Sequence, residues 1–264
     1  MEKVSDNNIA LEVRDLVIGY GDRIVLQDLN FSVKCGEIFA IMGGSGCGKS
    51  TLLKHIIGIY PVKSGTIKIF DRTFDRDHTP ELDEVARLFG VTYQGGALLG
   101  SMTLAQNVAL VLEEHTSLSK SEINDIVMEK LSQVNLEQFA DFYPSQISGG
   151  MKKRAGLARA LALDPPLLFF DEPSAGLDPI SSAGLDRLIM RLRDEDNRTV
   201  VIVTHELDSI FTIADNVIML DKNTKSIIER GDPRIMKTQS QNPWVREFLN
   251  RSGLAYEKNI SNKG

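Results

Sequence analysis

Cysteine is scarce: the 264 residues include two, Cys35 and Cys47. Two isolated thiols with no metal-ligand spacing around them exclude a disulfide framework and fit a reducing compartment. Long apolar runs are lacking as well. The most apolar extended window, Ala97 to Leu112, is broken by Ser101, Thr103, Gln106 and Asn107, too short and too polar to cross a bilayer. The opening "MEKVSDNNIALEV" has no basic segment leading into an apolar one, so no secretory signal is expected. There is no basic excess. The net charge of −6 argues against nucleic acid as a partner, and Lys152-Lys153-Arg154 reads as a solvated helix face. There is no internal repeat, so each structural unit occurs once. What remains is 42% hydrophobic and 25% charged, ample for one large domain with a buried core. Such a chain is soluble, and serves a membrane only as a peripheral subunit.

The hydrophobic pattern alternates between two periods. "LNFSV" points Leu29, Phe31 and Val33 inward, and "TIKIF" does the same with Ile67 and Ile69, as half-buried strands do. "EIFAIM" is continuously apolar, like a strand covered on both faces. A helix is expected from Gly48 to Ile57. From about 95 to 165 the pattern is helical, over 103–112, 119–134 and 150–163, punctuated by Pro144 and Asp164-Pro165-Pro166. Strand and helix then alternate: "LLFF", a helix from Pro179 to Arg193, "TVVIV", a helix near 206–213, "NVIML" and "SIIER". This order predicts an α/β fold in which a parallel-sheet core carries an inserted α-helical subdomain. Residues 241–264 are expected to form a tail, helical at "PWVREFL" and disordered beyond Tyr256.

Four strand ends carry chemistry. Gly43-Gly44-Ser45-Gly46-Cys47-Gly48-Lys49-Ser50, followed by Thr51, fits the full phosphate-loop pattern with strand before and helix after. Its glycines let successive N–H groups face phosphates. Lys49 supplies a point charge to the outer phosphates, and Ser50 a hydroxyl for Mg²⁺. "LLFFDE" ends in Asp171, placed to hold Mg²⁺ near Ser50, and Glu172, placed to polarise the attacking water. "IVTHE" delivers His205 as a γ-phosphate sensor. Gln94, after "FGVTY", is a polar reach from a strand end toward Mg²⁺ and water. His55, His78 and His115 are read as structural. A second phosphate cradle is suggested by Ser148-Gly149-Gly150 opening a helix, where unpaired N–H groups meet the positive end of the dipole.

Together these elements resemble the nucleotide-binding subunit of ABC transporters, over about residues 9–240. The resemblance implies a RecA-like P-loop NTPase core with N-terminal antiparallel strands, and the α-helical insert at about 95–165. It places Ser148-Gly149-Gly150 in the signature motif, Gln94 in the Q-loop, Ser174 to Asp178 in the D-loop and His205 in the switch loop. Tyr20, in "GYGDR", matches the aromatic that stacks on adenine. In that family two copies pack head to tail, so Ser148, Gly149 and Gly150 serve the partner's ATP rather than their own. The implied cofactors are ATP and Mg²⁺. Met151 stands where the signature commonly continues with glutamine.

"SGGMKKRAGLARALALDP", "YQGGALLGSMTLAQNV", "EEHT" and "PWVREFL" look like a narrower group, the ATPases of the bacterial Mla phospholipid system and its MCE-linked relatives. Gly95-Gly96 stands where that group has Ser-Gly. The resemblance implies a peripheral subunit on the cytoplasmic face of the inner membrane, partnered by integral permease subunits and an MCE-domain lipid-binding subunit. An importer of small polar solutes shares all these motifs. A soluble ABC ATPase of translation or repair lacks support here, since neither a second nucleotide unit nor a coiled-coil insertion is present. Leu98, Leu99, Met102 and Leu104 are read mostly as core, or else as a permease contact. For Trp244, Val245, Phe248 and Leu249, packing on the same subunit and on a partner both stay open.

Overall fold

A computed structural model describes residues 8–74 and 82–250. The chain opens with a hairpin of β1 (Ile9–Tyr20) and β2 (Arg23–Lys34). It continues through β3 (Ile38–Gly43), α1 (Lys49–Ile56), β4 (Ser64–Ile69), β5 (Arg72–Thr73), α2 (Leu82–Ala86) and β6 (Phe89–Thr92). The helical segment follows: α3 (Leu104–His115), α4 (Lys120–Gln133) and α5 (Gly149–Ala160). The rest alternates: β7 (Leu167–Asp171), α6 (Pro179–Asp194), β8 (Thr199–Val203), α7 (Leu207–Ile213), β9 (Asn216–Asp221) and β10 (Ser226–Gly231). Two short helices end it, α8 (Pro233–Gln239) and α9 (Pro243–Leu249).

The strands form two sheets. β2-β1-β4-β5 is antiparallel. β10-β9-β3-β8-β7-β6 is parallel except at its β9–β10 edge. Successive residues of a strand face opposite sides, and the buried strands show it. Leu167 and Phe169 of β7 join the core between the two sheets, while Leu168 and Phe170 join the core on the other face. That second core holds Leu104, Val108, Ile123, Val127, Leu131, Leu157 and Ala158. The helical subdomain is therefore fixed to the parallel sheet by shared packing.

Helix starts follow local capping chemistry. Thr103 and Ser119 each form a capping box, with Gln106 and Glu122 as the return partners. Asp178 precedes Pro179, a residue suited to the first helical position. The turn 164–166 ends the helical subdomain, and there a buried cation sits. Lys130, 2% exposed, donates to Asp164 at 2.7 Å, and Arg198 donates to the same carboxylate at 2.9 Å.

The strand "TIKIF" stops one residue early, because Phe70 and Asp71 turn with positive φ (47° and 66°). Of the four apolar residues after Gln94, Leu104 is fully buried while Leu99 is 44% exposed, so the segment is core at one end only. In α9, Val245 and Leu249 are buried against Ala40, Met42, Leu207 and Met219 of the same chain, with Trp244 and Phe248 half-buried beside them. The disorder expected beyond Tyr256 lies outside the described residues. Among the described residues no helix is long and apolar enough to cross a membrane.

Candidate functional site

The loop between β3 and α1 is shaped by close approach. A Cβ on Gly43 (φ 148°) would sit 2.4 Å from the Leu220 carbonyl oxygen, and Gly48 caps α1 in the left-handed region at φ 107°. Only glycine fits the first without displacement and the second without strain. Lys49 Nζ donates to the carbonyls of Gly43 at 2.8 Å and Gly44 at 3.2 Å, so the ammonium lies over the loop. Cys47 is buried beneath it, and that burial pushes its thiol pKa up.

Parallel pairing brings the acidic strand end alongside. β7 and β8 run in register, Asp171 opposite Val203, and the Glu172 N–H donates to the Val203 carbonyl at 2.7 Å. Ser50 Oγ donates to Asp171 Oδ1 at 3.1 Å. Burial raises the Asp171 pKa, Glu172 adds to the rise, and Ser50 and two lysines oppose it. Glu172 adopts φ 49°, a left-handed conformation costly for a side-chain-bearing residue. Its carboxylate is 13% exposed and held from two sides: His205 Nδ1 lies 2.9 Å from Oε1, and Thr204 Oγ1 donates to Oε2 at 3.2 Å.

Lys49, Ser50, Glu172 and His205 border one open cleft of about 980 Å³, with Asp171 held to it through Ser50. Of the residues singled out by the sequence, Tyr20, Gly43, Gly44, Ser45, Gly46, Gly48, Lys49, Ser50, Thr51, Gln94, Glu172 and His205 line it. Tyr20 packs beside Tyr60, ring centres 5.2 Å apart, and beside the buried ring of His55 at 5.9 Å. His55, with Nδ1 2.8 Å from the Thr51 carbonyl oxygen, is structural. His78 lies outside the described residues. Loop N–H groups, one ammonium, a hydroxyl and two carboxylates form a set suited to a polyphosphate and the water that attacks it.

Four singled-out residues lie elsewhere. Ser148 caps α5, its Oγ accepting from the Met151 N–H at 3.2 Å, and Gly149 and Gly150 form the first turn. Ser148 and Gly150 border a separate cleft of about 480 Å³ with Arg154, Leu177 and Arg191. Asp178 caps α6, accepting from the N–H groups of Ile180 and Ser181 at 3.0 Å each and from Ser181 Oγ at 2.6 Å. These hydrogen bonds lower its pKa.

The structure corrects one reading. Lys153 and Arg154 are not a solvated face. Lys153 Nζ donates to the carbonyls of Pro173 at 2.7 Å and Ala175 at 2.5 Å, and Arg154 donates to the Val134 carbonyl at 3.1 Å. Charge runs are read as solvated because the sequence gives no sign of carbonyls converging from a distant loop. Arg23 and Phe248 at the cleft, and Thr204 beside Glu172, also escaped notice. For Phe248 the amphipathic spacing of "PWVREFL" was the available signal.

A glycine loop joining a buried parallel strand to a helix, beside an acidic strand end, defines the P-loop class of nucleotide-binding α/β proteins. Comparison with known proteins narrows this. The family described as "ABC transporter" matches residues 26–175. "Probable ribonucleotide transport ATP-binding protein mkl" of Mycobacterium leprae is 43% identical, over 96% of this chain and 74% of that protein. "Intermembrane phospholipid transport system ATP-binding protein MlaF" of Haemophilus influenzae is 41% identical, over 92% of this chain and 91% of that protein. Among solved structures, the dimeric post-hydrolysis state of the ATP-binding cassette MJ0796, bound to ADP and Pi, superposes with a TM-score of 0.75 at 30% identity. That match covers 84% of this chain and 98% of the other. The chain belongs to the ABC transporter family, and its cassette binds and hydrolyses ATP.

Proposed function

We propose that this chain powers a complex that moves phospholipids between bacterial membranes. It works as two copies docked peripherally on the cytoplasmic face of the inner membrane, beneath integral permease subunits and with an MCE-domain lipid-binding subunit. The observation that carries the cargo is the extent of the match. The Haemophilus influenzae phospholipid relative and this chain coincide over nine-tenths of both lengths, whereas the mkl relative extends well beyond the shared part.

Within each copy, Tyr20 stacks on adenine, and the amides of Gly43 to Thr51 cradle the phosphates. Lys49 exchanges its two loop carbonyls for phosphate oxygens. Ser50, Asp171 and Gln94 offer hard oxygen donors, of which Ser50 Oγ and Asp171 Oδ1 already lie 3.1 Å apart. This donor set fits Mg²⁺, which prefers carboxylate and hydroxyl oxygen to nitrogen or sulfur. When bound, the ion neutralises phosphate charge. Glu172 orients and polarises the attacking water, and His205 turns from Glu172 toward the γ-phosphate. The first-turn amides of Ser148, Gly149 and Gly150, with Asp178, serve the ATP held by the second copy.

Purification of the native complex in mild detergent tests the cargo, with mass spectrometry reading co-purifying proteins and small molecules. An MCE-domain protein with phospholipid is expected. A solute-type permease without enriched lipid overturns the phospholipid reading and leaves the ATP site intact.

A further inference from the structure

We infer that Lys153 is a positioning residue that couples the two ATP sites of the paired copies. The inference rests on two readings made above: Glu172 polarises water in its own copy's cleft, and Ser148 to Gly150 serve the other copy's ATP.

Lys153 lies on α5, one and a half turns past the Ser148 cap. Its ammonium reaches across to the segment that leaves β7. It donates to the carbonyls of Pro173 at 2.7 Å and Ala175 at 2.5 Å, and lies 3.5 Å from that of Glu172. An ammonium has three donors and no acceptor, so three converging carbonyls match its capacity. The group is half-buried. Burial lowers its pKa, while the carboxylates of Glu172 and Glu206 act in the opposite direction.

The gripped segment has little regular support. Glu172 stands at φ 49° and Gly176 at φ 74°. The backbone bonds within it are two loose turns, Ala175 N–H to the Glu172 carbonyl at 3.3 Å and Leu177 N–H to the Ser174 carbonyl at 3.0 Å. Lys153 thus ties the strained residue that carries the water-polarising carboxylate to the helix whose first turn faces the other copy. A displacement of α5 when its N-terminus engages the partner's nucleotide moves the carbonyls on either side of Pro173, and Glu172 with them. Because the pair is symmetric, each copy's ATP sets the other's catalytic carboxylate, and the coupling is reciprocal.

The test uses the full chain. ATP hydrolysis against ATP concentration is compared for the parent and Lys153→Met, with ADP affinity measured separately. Lys153→Met is expected to leave KM and ADP affinity within about twofold, lower kcat at least about fivefold and bring the Hill coefficient to about 1. Unchanged kcat and cooperativity overturn the inference. So does a loss of nucleotide affinity in step with kcat, since the lysine then shapes its own cleft. Should Lys153→Met melt below the assay temperature, Lys153→Arg carries the test. Its guanidinium keeps charge and donors, so cooperativity is expected to persist, and its loss with normal ADP affinity overturns the inference. Sizing Glu172→Gln with ATP separates the underlying reading: if ATP fails to pair that variant, the two-copy reading falls, whatever Lys153 does.

Discussion

The loop that carries Gln94 is interlocked with the signature helix through two glycines, and this can be broken selectively. Gly96 sits at φ 77°, and a Cβ there would lie 2.6 Å from the Lys152 carbonyl oxygen. From the other side, a Cβ on Gly156 would meet the Gly96 oxygen at 2.8 Å and its Cα at 2.9 Å. Arg159 closes the contact, donating to the carbonyls of Ala97 at 2.6 Å and Gly96 at 3.2 Å. In Gly96→Ala the left-handed backbone costs about 1–2 kcal/mol. Displacing a helix carbonyl costs a further ~1–3 kcal/mol, in line with overpacking elsewhere. At about 2–4 °C per kcal/mol for a chain of this size, the melting temperature should fall by on the order of 10 °C. Gly95 is the control. A Cβ there meets nothing within 4 Å, so Gly95→Ala should melt within about 1–2 °C of the parent, as surface changes do. Thermal unfolding and ATPase turnover of both variants form the assay. Equal melting temperatures for Gly96→Ala and the parent, or an equal fall in Gly95→Ala, would refute the packing argument.

Lys49→Ala should weaken ATP binding itself, measured with a fluorescent analogue, whereas Glu172→Gln should keep binding and lose turnover by roughly 100-fold or more, within the range a positioned base contributes. Full turnover in Glu172→Gln would remove it from the mechanism. Asp164→Asn leaves the buried Lys130 ammonium with the exposed Glu129 carboxylate at 3.0 Å as its remaining ion-pair partner. A loss of about 1–2 kcal/mol is expected at neutral pH, below that of a fully buried pair because Asp164 is partly exposed. Burial alone would raise the Asp164 pKa, but hydrogen bonds from Lys130 and Arg198 outweigh it and lower it. Its contribution is therefore present above the unfolded-state value, ~4, and lost as pH falls through the lower folded value. The gap between parent and Asn variant in urea unfolding should narrow below about pH 4, and a gap constant with pH would contradict this.

Much of the architecture was legible because it rests on local signals. The buried run in "EIFAIM", the glycine loop after it and the helical spacing over 103–112 and 119–134 each act within a few residues. The cleft was legible because its groups sit at strand ends, and parallel strands deliver such ends to one edge of a sheet. What escaped depends on contacts across sequence. Lys153 lies 20 residues from Pro173, and its basic neighbours gave it the appearance of a solvated side chain. Thr204 looked like an ordinary strand residue until register placed its hydroxyl 3.2 Å from Glu172. The capping role of Asp178 is local and readable from Asp-Pro, whereas its place toward a second copy's nucleotide comes from the family resemblance alone.

The central claim is that each working ATP site is built from two copies, and two dead variants test it together. Lys49→Ala removes a copy's own phosphate grip, while Ser148→Arg blocks the surface it offers to the other copy. Co-expressed with different affinity tags, mixed pairs can be isolated by two successive captures and assayed for ATP hydrolysis. If the sites are shared, each mixed pair combines the intact loop of the Ser148→Arg copy with the intact signature of the Lys49→Ala copy, and turnover returns well above that of either variant alone, below half of the parent because the surviving site lacks the coupling from a second ATP. If each site lies within one chain, both copies are defective and the mixed pairs stay as inactive as either variant alone.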